Sequence, residues 1–280
     1  MKLGDYECAS LELGDFLLDG GAMFGVVPKM LWEKKIPADN NNLIPMKARS
    51  LLIRGEERNI LVDTGPGNKL SAKMKKIYRI DDNSINADSS LSKHGLTIND
   101  ITDVIITHLH FDHAGGSTTI RKKKLVPAFP NAKYYIQKTQ FEAAVNPGPG
   151  ETSSFTGDDF LPLEESGALI LLDGPCELFR GIEILVTDGH TKGQQHPLVK
   201  GKEASLFFCA DLIPTSAHIP STWHMAYDNY PLTTIREKEE YLSTALKKNW
   251  ILFFEHDPVT AAAFIKQDNK SMVVDKAVVL

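Results

Sequence analysis

The chain has 280 residues, 42% of them hydrophobic and 24% charged, enough for a large buried core in one α/β domain or two tightly joined halves. Its 36 acidic against 31 basic side chains leave a formal charge of -5, which argues against polyanion binding by bulk charge, so no nucleic-acid partner is expected. The three Cys (Cys8, Cys176, Cys209) fit neither a disulfide framework nor a CxxC metal site, and MKLGDYECASLELGDF reads as neither secretory signal nor membrane span; a cytoplasmic protein without a membrane partner is expected.

In chain order, β-type runs come first, over 6–13, 48–53 and 59–62, and the last ends in VDTGPG, where Gly65, Pro66 and Gly67 enforce a turn. The Lys-rich stretch 70–93 is expected to contain helix, and DITDVIITH reads as a buried strand that delivers His108 at its carboxyl end. The basic run 121–124 reads as a solvated turn. KYYIQK (133–138) reads as a strand. Thr139 to Glu142 form a capping-box pattern that starts a helix, ended by Asn146, Pro147, Gly148, Pro149 and Gly150. The stretch 150–162, rich in Gly, Ser, Thr and Asp, is the candidate mobile loop or half-boundary, and strands follow over 168–187 and 205–210. Thr233 or Thr234 is expected to cap a charged helix with Ile235, Leu242 and Leu246 toward the core. WILFFEHDP reads as a buried strand ending at His256, and AAAFIKQ with SMVVDKAVV as a closing hairpin around Asp268, Asn269 and Lys270. The coarse reading is two β-rich halves with helices outside.

Four candidate metal ligands, His108, His110, Asp112 and His113, fall within six residues of ITHLHFDHAGG. Alternate residues of an extended chain share a face, so His108 and His110 can reach one ion, while Asp112 and His113 at the following turn point toward a second. Three more candidates, His190, Asp211 and His256, each follow an apolar run, where rigid strands hold ligands at fixed distances and loops leave an open face. His94 and His196 show no partner pattern and are read as surface residues.

Together, the HxHxDH cluster, the GH of TDGHTKG, the Asp of FFCADLIPT and the His of FFEHDP resemble the metallo-β-lactamase-fold superfamily of metallohydrolases across nearly the whole chain. The resemblance implies a four-layer αββα sandwich, residues 1–280 forming one domain, with the site along one edge. It implies that His108, His110 and His190 hold one divalent ion, that Asp112, His113 and His256 hold another, and that Asp211 bridges them, with Asp63 of LVDTGPG behind the ligands in support. His at 110, and only 24 residues after His256, set the chain apart from flavodiiron-type oxidoreductases. Asp at 211 sets it apart from the zinc β-lactamases that carry Cys there, and Cys209 reads as a small core residue. DGGAMFGVVPK, FPNAKYYIQ, AYDNYPL and FFEHDP look like the branch containing quorum-quenching N-acyl-homoserine lactonases and methyl-parathion-hydrolase-like enzymes. The better-known lactonases of this fold carry Tyr three residues after the bridging Asp, where this chain has Pro214, so Tyr227, His218 or His224 is expected to donate to the substrate carbonyl.

Nitrogen and carboxylate ligands suit Zn²⁺ first, with Mn²⁺, Fe²⁺ or Co²⁺ also compatible. Two ions roughly 3.5–4 Å apart would hold a bridging water whose pKa falls toward about 7. The expected reaction is attack of that hydroxide on a lactone or carboxylic-ester carbonyl, with Asp112 or Asp211 passing a proton to the leaving group. Met23, Phe24 and Trp32, with Trp223 and Tyr227, are candidates for an apolar wall against an acyl chain. A phosphotriesterase-like or thioester hydrolase is the alternative, because the same nucleophile attacks those electrophiles. A non-catalytic metal-binding module is the reading from a different class, and a homodimer is compatible with the sequence.

Overall fold

In the computed structural model, which describes residues 1–80, 87–148, 151–269 and 271–280, the first half of the chain builds one sheet. β1 (Lys2–Leu3) and β2 (Tyr6–Asp19) lead through the short helices α1 (Gly20–Phe24) and α2 (Lys29–Trp32) into β3 (Leu43–Gly55) and β4 (Arg58–Val62). After α3 (Ala72–Tyr78) and α4 (Ala87–Ser92) come β5 (Asp103–Ile105) and α5 (Phe111–Ala114). The hairpin β6 (Thr118–Arg121) and β7 (Lys124–Pro127) precedes β8 (Lys133–Gln137), α6 (Lys138–Val145), α7 (Leu161–Glu165) and β9 (Leu169–Leu172). The second half contributes β10 (Cys176–Phe179), β11 (Ile182–Thr187), β12 (Gln194–Val199) and β13 (Ser205–Phe208). It closes with α8 (Pro231–Lys247), β14 (Trp250–Phe253), β15 (Ala262–Asp268) and β16 (Ser271–Val278).

Among the described residues these strands form two seven-stranded sheets, ordered β1-β2-β3-β4-β5-β8-β9 and β10 through β16. β4, β5, β8 and β9 run parallel, as do β13 and β14, so the carboxyl ends of β4, β5, β13 and β14 release Asp63, His108, Asp211 and His256 toward one edge. Period-2 alternation builds the layers. Ile251 and Phe253 of β14 face Leu51, Ile53 and Ile60 across the gap between the sheets, while Trp250 and Leu252 pack outward with Leu242 and Ala245 of α8. The outer face of the first sheet is covered by Leu91 of α4 and Phe141 of α6. The architecture is therefore the four-layer αββα sandwich. No helix among the described residues is long and apolar enough to cross a membrane.

Several local readings change. The strand expected over 6–13 runs on to Asp19, and the one expected over 100–108 shortens to Asp103–Ile105, because the chain leaves the ladder to splay its ligands. Thr139 does not cap α6: the chain passes from β8 straight into the helix, with Gln137 at the cap position and no side-chain cap bond. α8 starts at Pro231, a residue suited to the first turn, and buries Thr234, Lys238, Leu242 and Ala245, whereas Leu246 is 38% exposed. The stretch 150–162 is no boundary, since β8 and β9 on its two sides pair in one sheet. The chain changes sheets later, between Leu172 and Cys176. His196, expected at the surface, is buried on β12, which is covered on both faces, and His94 is half-buried. Positions 81–86 of the expected helical stretch, Pro149 and Gly150 of the helix stop, and Lys270 of the hairpin turn lie outside the described residues.

Candidate metal centre

The turn after β4 and the ligand run after β5 are packed backbone to backbone. A Cβ at Gly115 or Gly116 would lie 2.3 or 2.2 Å from the carbonyl oxygens of Pro66 and Thr64, so only glycine allows this approach. His110 is the cap residue of α5, whose single turn presents Asp112 and His113. His190 sits in the turn between β11 and β12, and Asp211 in a 3₁₀ turn directly after β13. With its amide oriented to satisfy both partners, Gln194 accepts from the Asp211 and Leu212 N–H groups at 3.0 and 3.1 Å.

Seven side chains converge as two groups around one carboxylate. In the first, His108 Nε2 and His190 Nε2 lie 3.0 and 3.2 Å from His110 Nδ1, and Asp211 Oδ2 is 3.2 Å from His190 Nε2. In the second, His256 Nε2 lies 3.1 Å from His113 Nε2, and Asp112 Oδ2 is 3.7 Å from His256 Nε2. Asp211 Oδ1 faces this group, at 3.2 Å from His256 Nε2 and 3.5 Å from His113 Nε2. All seven side chains are buried.

This set fits a pair of metal ions. Tetrahedral ligation at about 2.0–2.1 Å puts imidazole nitrogens roughly 3.3 Å apart, close to the separations seen. Asp211 Oδ1 is buried without a hydrogen-bond partner, an expensive condition that a cation relieves. The opposite nitrogens of four imidazoles are tied down as metal-binding His usually are. His108 Nδ1 meets Thr107 Oγ1 at 3.0 Å, His190 Nδ1 meets Asp228 Oδ1 at 2.9 Å and His256 Nδ1 meets the Lys47 carbonyl at 2.8 Å. His113 Nδ1 lies 3.0 Å from Asp63 Oδ2 and 3.1 Å from Glu255 Oε2. Asp63 also accepts from the Thr107 N–H and hydroxyl, at 2.7 and 2.6 Å, so it stands behind the ligands and ties β4 to the ligand run.

Electrostatics divide the candidate ligands: burial would lower His113, His190 and His256, but Asp211 and the other nearby carboxylates outweigh it and raise all three, His256 to about 9, so these must release a proton to bind a cation. Burial, then the neighbouring imidazoles, hold His108 and His110 well below the ordinary histidine range, leaving their lone pairs free. Burial alone would raise Asp211, but His113, His190 and His256 outweigh it and hold the carboxylate ionised. Burial pushes Glu255 up to about 8 against the opposing pull of His113.

A cavity of about 310 Å³ opens onto the cluster, bounded by His110, Asp112, His190, Asp211 and His256. Of the residues expected against an acyl chain, Met23 and Tyr227 line it. Phe24, Trp32, His218 and Trp223 sit behind Met23 as an aromatic stack outside the lining: Phe24 lies 5.1 Å from Trp32 and 4.5 Å from His218, nearly parallel to both. His218 is committed to Thr215 Oγ1 at 2.7 Å and the Met23 carbonyl at 2.8 Å, and His224 lies off the cavity, 3.0 Å from the Met225 carbonyl. Pro214 accepts from the His256 N–H at 3.1 Å. Sequence reasoning missed Met74, Tyr78, Phe111, Ser153, Ser154 and Asn229 in the lining, and Asp228 and Glu255 behind the ligands. Phe111 and Glu255 each adjoin a ligand in sequence, a signal that was available.

A four-layer sandwich with two His/Asp groups at the strand ends defines a metallohydrolase. Residues 44–256 match the family model of the metallo-beta-lactamase superfamily, and the chain belongs to that superfamily as one of its hydrolases. A curated N-acyl homoserine lactonase, AiiA of Bacillus thuringiensis subsp. kurstaki, is 26% identical over 238 residues, 78% of this chain and 86% of the relative. A probable metal-dependent hydrolase from Staphylococcus aureus has a crystal structure that superposes with a TM-score of 0.88 at 31% identity, covering 100% of both chains. AidC, a dizinc quorum-quenching lactonase in complex with a product, N-hexanoyl-L-homoserine, superposes with a TM-score of 0.82 at 20% identity, covering 100% of this chain and 97% of that one; this likeness shows the fold.

Proposed function

We propose that the protein is a dinuclear metal hydrolase that opens lactones of the N-acyl-homoserine type or cleaves carboxylic esters, and that its 280 residues act as one domain. The observation that carries this reading is Asp211, whose two oxygens face two separate His/Asp groups on a cavity lined by both apolar and polar side chains. His108, His110 and His190 would hold one ion, Asp112, His113 and His256 the other, with Asp211 shared and Zn²⁺ the best fit to the donors. Such ions supply Lewis-acid polarisation of a carbonyl and activation of water at neutral pH. Leu18, Met23, Met74 and Phe111 accommodate the apolar portion of the substrate, while Ser153, Ser154 and Asn229 meet its polar portion. Burial, then Tyr78 and Asp112, push the Tyr227 phenol upward, so it remains protonated at neutral pH. It therefore serves as the donor to the substrate carbonyl that Pro214 cannot be. Asp112, which borders the cavity, would accept the proton given up by the attacking water and return it to the departing alkoxide. Three free cysteines suit a reducing, cytoplasmic setting.

The test is ring opening of N-acyl-homoserine lactones of several chain lengths, followed as proton release, before and after chelation. Metal-dependent turnover supports the reading. A metal-loaded protein that cleaves phosphotriesters or thioesters but no lactone or ester would overturn it.

A further inference from the structure

Residues 219–230 contain neither helix nor strand, yet they form one wall of the cavity through Met225, Ala226, Tyr227 and Asn229. The same loop supplies Asp228, which meets His190 Nδ1 at 2.9 Å, and its Asn229 and Tyr230 N–H groups donate to the carbonyls of His190 and Gly189 at 3.0 and 2.8 Å. A loop of this length holds one shape only where its polar groups are anchored. Side chains tie it to other elements as well: Ser221 Oγ donates to Glu239 Oε1 of α8 at 3.1 Å, and Asn229 Nδ2 to Glu151 Oε1 at 2.7 Å. The Ala226 N–H donates to the Ala22 carbonyl at 2.8 Å, the Met225 N–H to Asp228 Oδ2 at 3.0 Å, and Lys238 Nζ to the carbonyls of Pro220 at 3.1 Å and Trp223 at 2.6 Å.

Lys238 is the unusual member. It is 0% exposed and, with Arg49, is one of two Lys or Arg side chains in the buried class among the described residues. It occupies the inward face of α8 between Thr234 and Leu242. An apolar side chain there would avoid the desolvation cost of a buried amine but would leave the Pro220 and Trp223 carbonyls without their donor. Burial pulls the Lys238 ammonium down to about 7, with Asp228 and Cys209 opposing, which is the mark of a costly placement. Packing alone therefore does not account for a lysine at this position. We propose that Lys238 is a positioning residue: its Nζ, a donor whether charged or neutral, fixes the 220–228 loop against α8, so that Met225 to Tyr227 face the cavity and Asp228 aims His190.

The effect on substrate rests on the proposed hydrolase function; the effect on His190 does not. Lys238→Met tests both. The melting temperature should fall by no more than a few degrees, since relief of the buried amine's desolvation offsets two carbonyls left without a donor, metal should be lost at a chelator concentration at least ~10-fold lower than in the wild type, in line with the cost of removing support behind a ligand, and KM for acyl lactones should rise ~10-fold with a smaller change in kcat. A folded variant with wild-type metal retention and KM overturns the proposal, as does one that only melts earlier. If Lys238→Met does not fold, the same readings are taken on Lys238→Leu, which likewise offers no donor to either carbonyl; unchanged metal retention and KM there overturn it equally. Should the wild type turn over no lactone or ester, the functional reading fails by itself, and the chelator titration still decides the role of Lys238.

Discussion

Asp211→Asn isolates the one carboxylate that both ligand groups share. Asn keeps the size of the side chain and leaves the backbone N–H bonds to Gln194 intact, so the 3₁₀ turn after β13 should persist. One oxygen becomes an NH₂ group without a lone pair, and that group must face either His190 Nε2 or His256 Nε2, each 3.2 Å from an Asp211 oxygen. One group of ligands therefore loses a donor outright, and both lose a negative charge. Removing a residue that merely supports a ligand costs 10–100-fold in metal affinity. Loss of a shared ligand should reach at least the upper end, ~100-fold or about 2.7 kcal/mol at roughly 1.36 kcal/mol per decade. The assay is metal content after dialysis against graded chelator, with lactone hydrolysis measured on the same samples. Loss of one equivalent at ~100-fold lower chelator, with turnover falling alongside, is expected. An Asp211→Asn protein that keeps both equivalents at wild-type chelator concentrations and hydrolyses within ~3-fold of the wild type would refute the shared-ligand reasoning.

Phe24→Ala separates core from substrate contact: a buried Phe lost from the Trp32 and His218 stack should cost about 3–5 kcal/mol. Thermal melting should show a drop of roughly 5–9 °C, with metal retention unchanged. Met74→Trp fills the cavity from α3, a helix with no buried residue, so stability should change by less than ~0.5 kcal/mol while KM rises with acyl-chain length; equal KM changes for short and long chains would contradict the lining. The depressed Lys238 predicts a pH signature. Between a folded value of about 7 and the ordinary 10.5, the unfolded chain binds the extra proton, so this group's contribution to stability rises with pH across that window and its penalty is greatest below it. Denaturant titrations at pH 7.5 and 9.5 should show the wild type gaining ~2 kcal/mol relative to Lys238→Met, since the slope cannot exceed about 1.4 kcal/mol per pH unit; parallel pH profiles would show that Lys238 does not titrate in this window.

What could be read from sequence was whatever is encoded close along the chain. His108 to His113 declare themselves because alternation and one helical turn place them within a single span, and Asp63, Asp211 and His256 because each ends an apolar strand. Where a partner comes from a distant element, the pattern is silent. His196 reads as solvent-facing until β12 is placed between β11 and β13, where Thr187 Oγ1 and the Phe208 carbonyl meet its ring at 2.8 and 3.2 Å. Phe24 and Trp32 in a loop before the second long strand suggest a ligand wall, and only the arrival of His218 from the other half turns them into core. Lys238 is the extreme case, because its partners are backbone carbonyls, which no side-chain motif records. The same principle explains why the candidate ligands and the pocket differ in legibility. Ligands require particular side chains at particular strand ends, whereas the walls require a loop of the right shape, and that shape is set by anchors that any pair of carbonyls can provide. Substrate preference in this fold should therefore respond to substitutions at anchor positions such as Lys238 that leave every candidate ligand and every lining side chain in place.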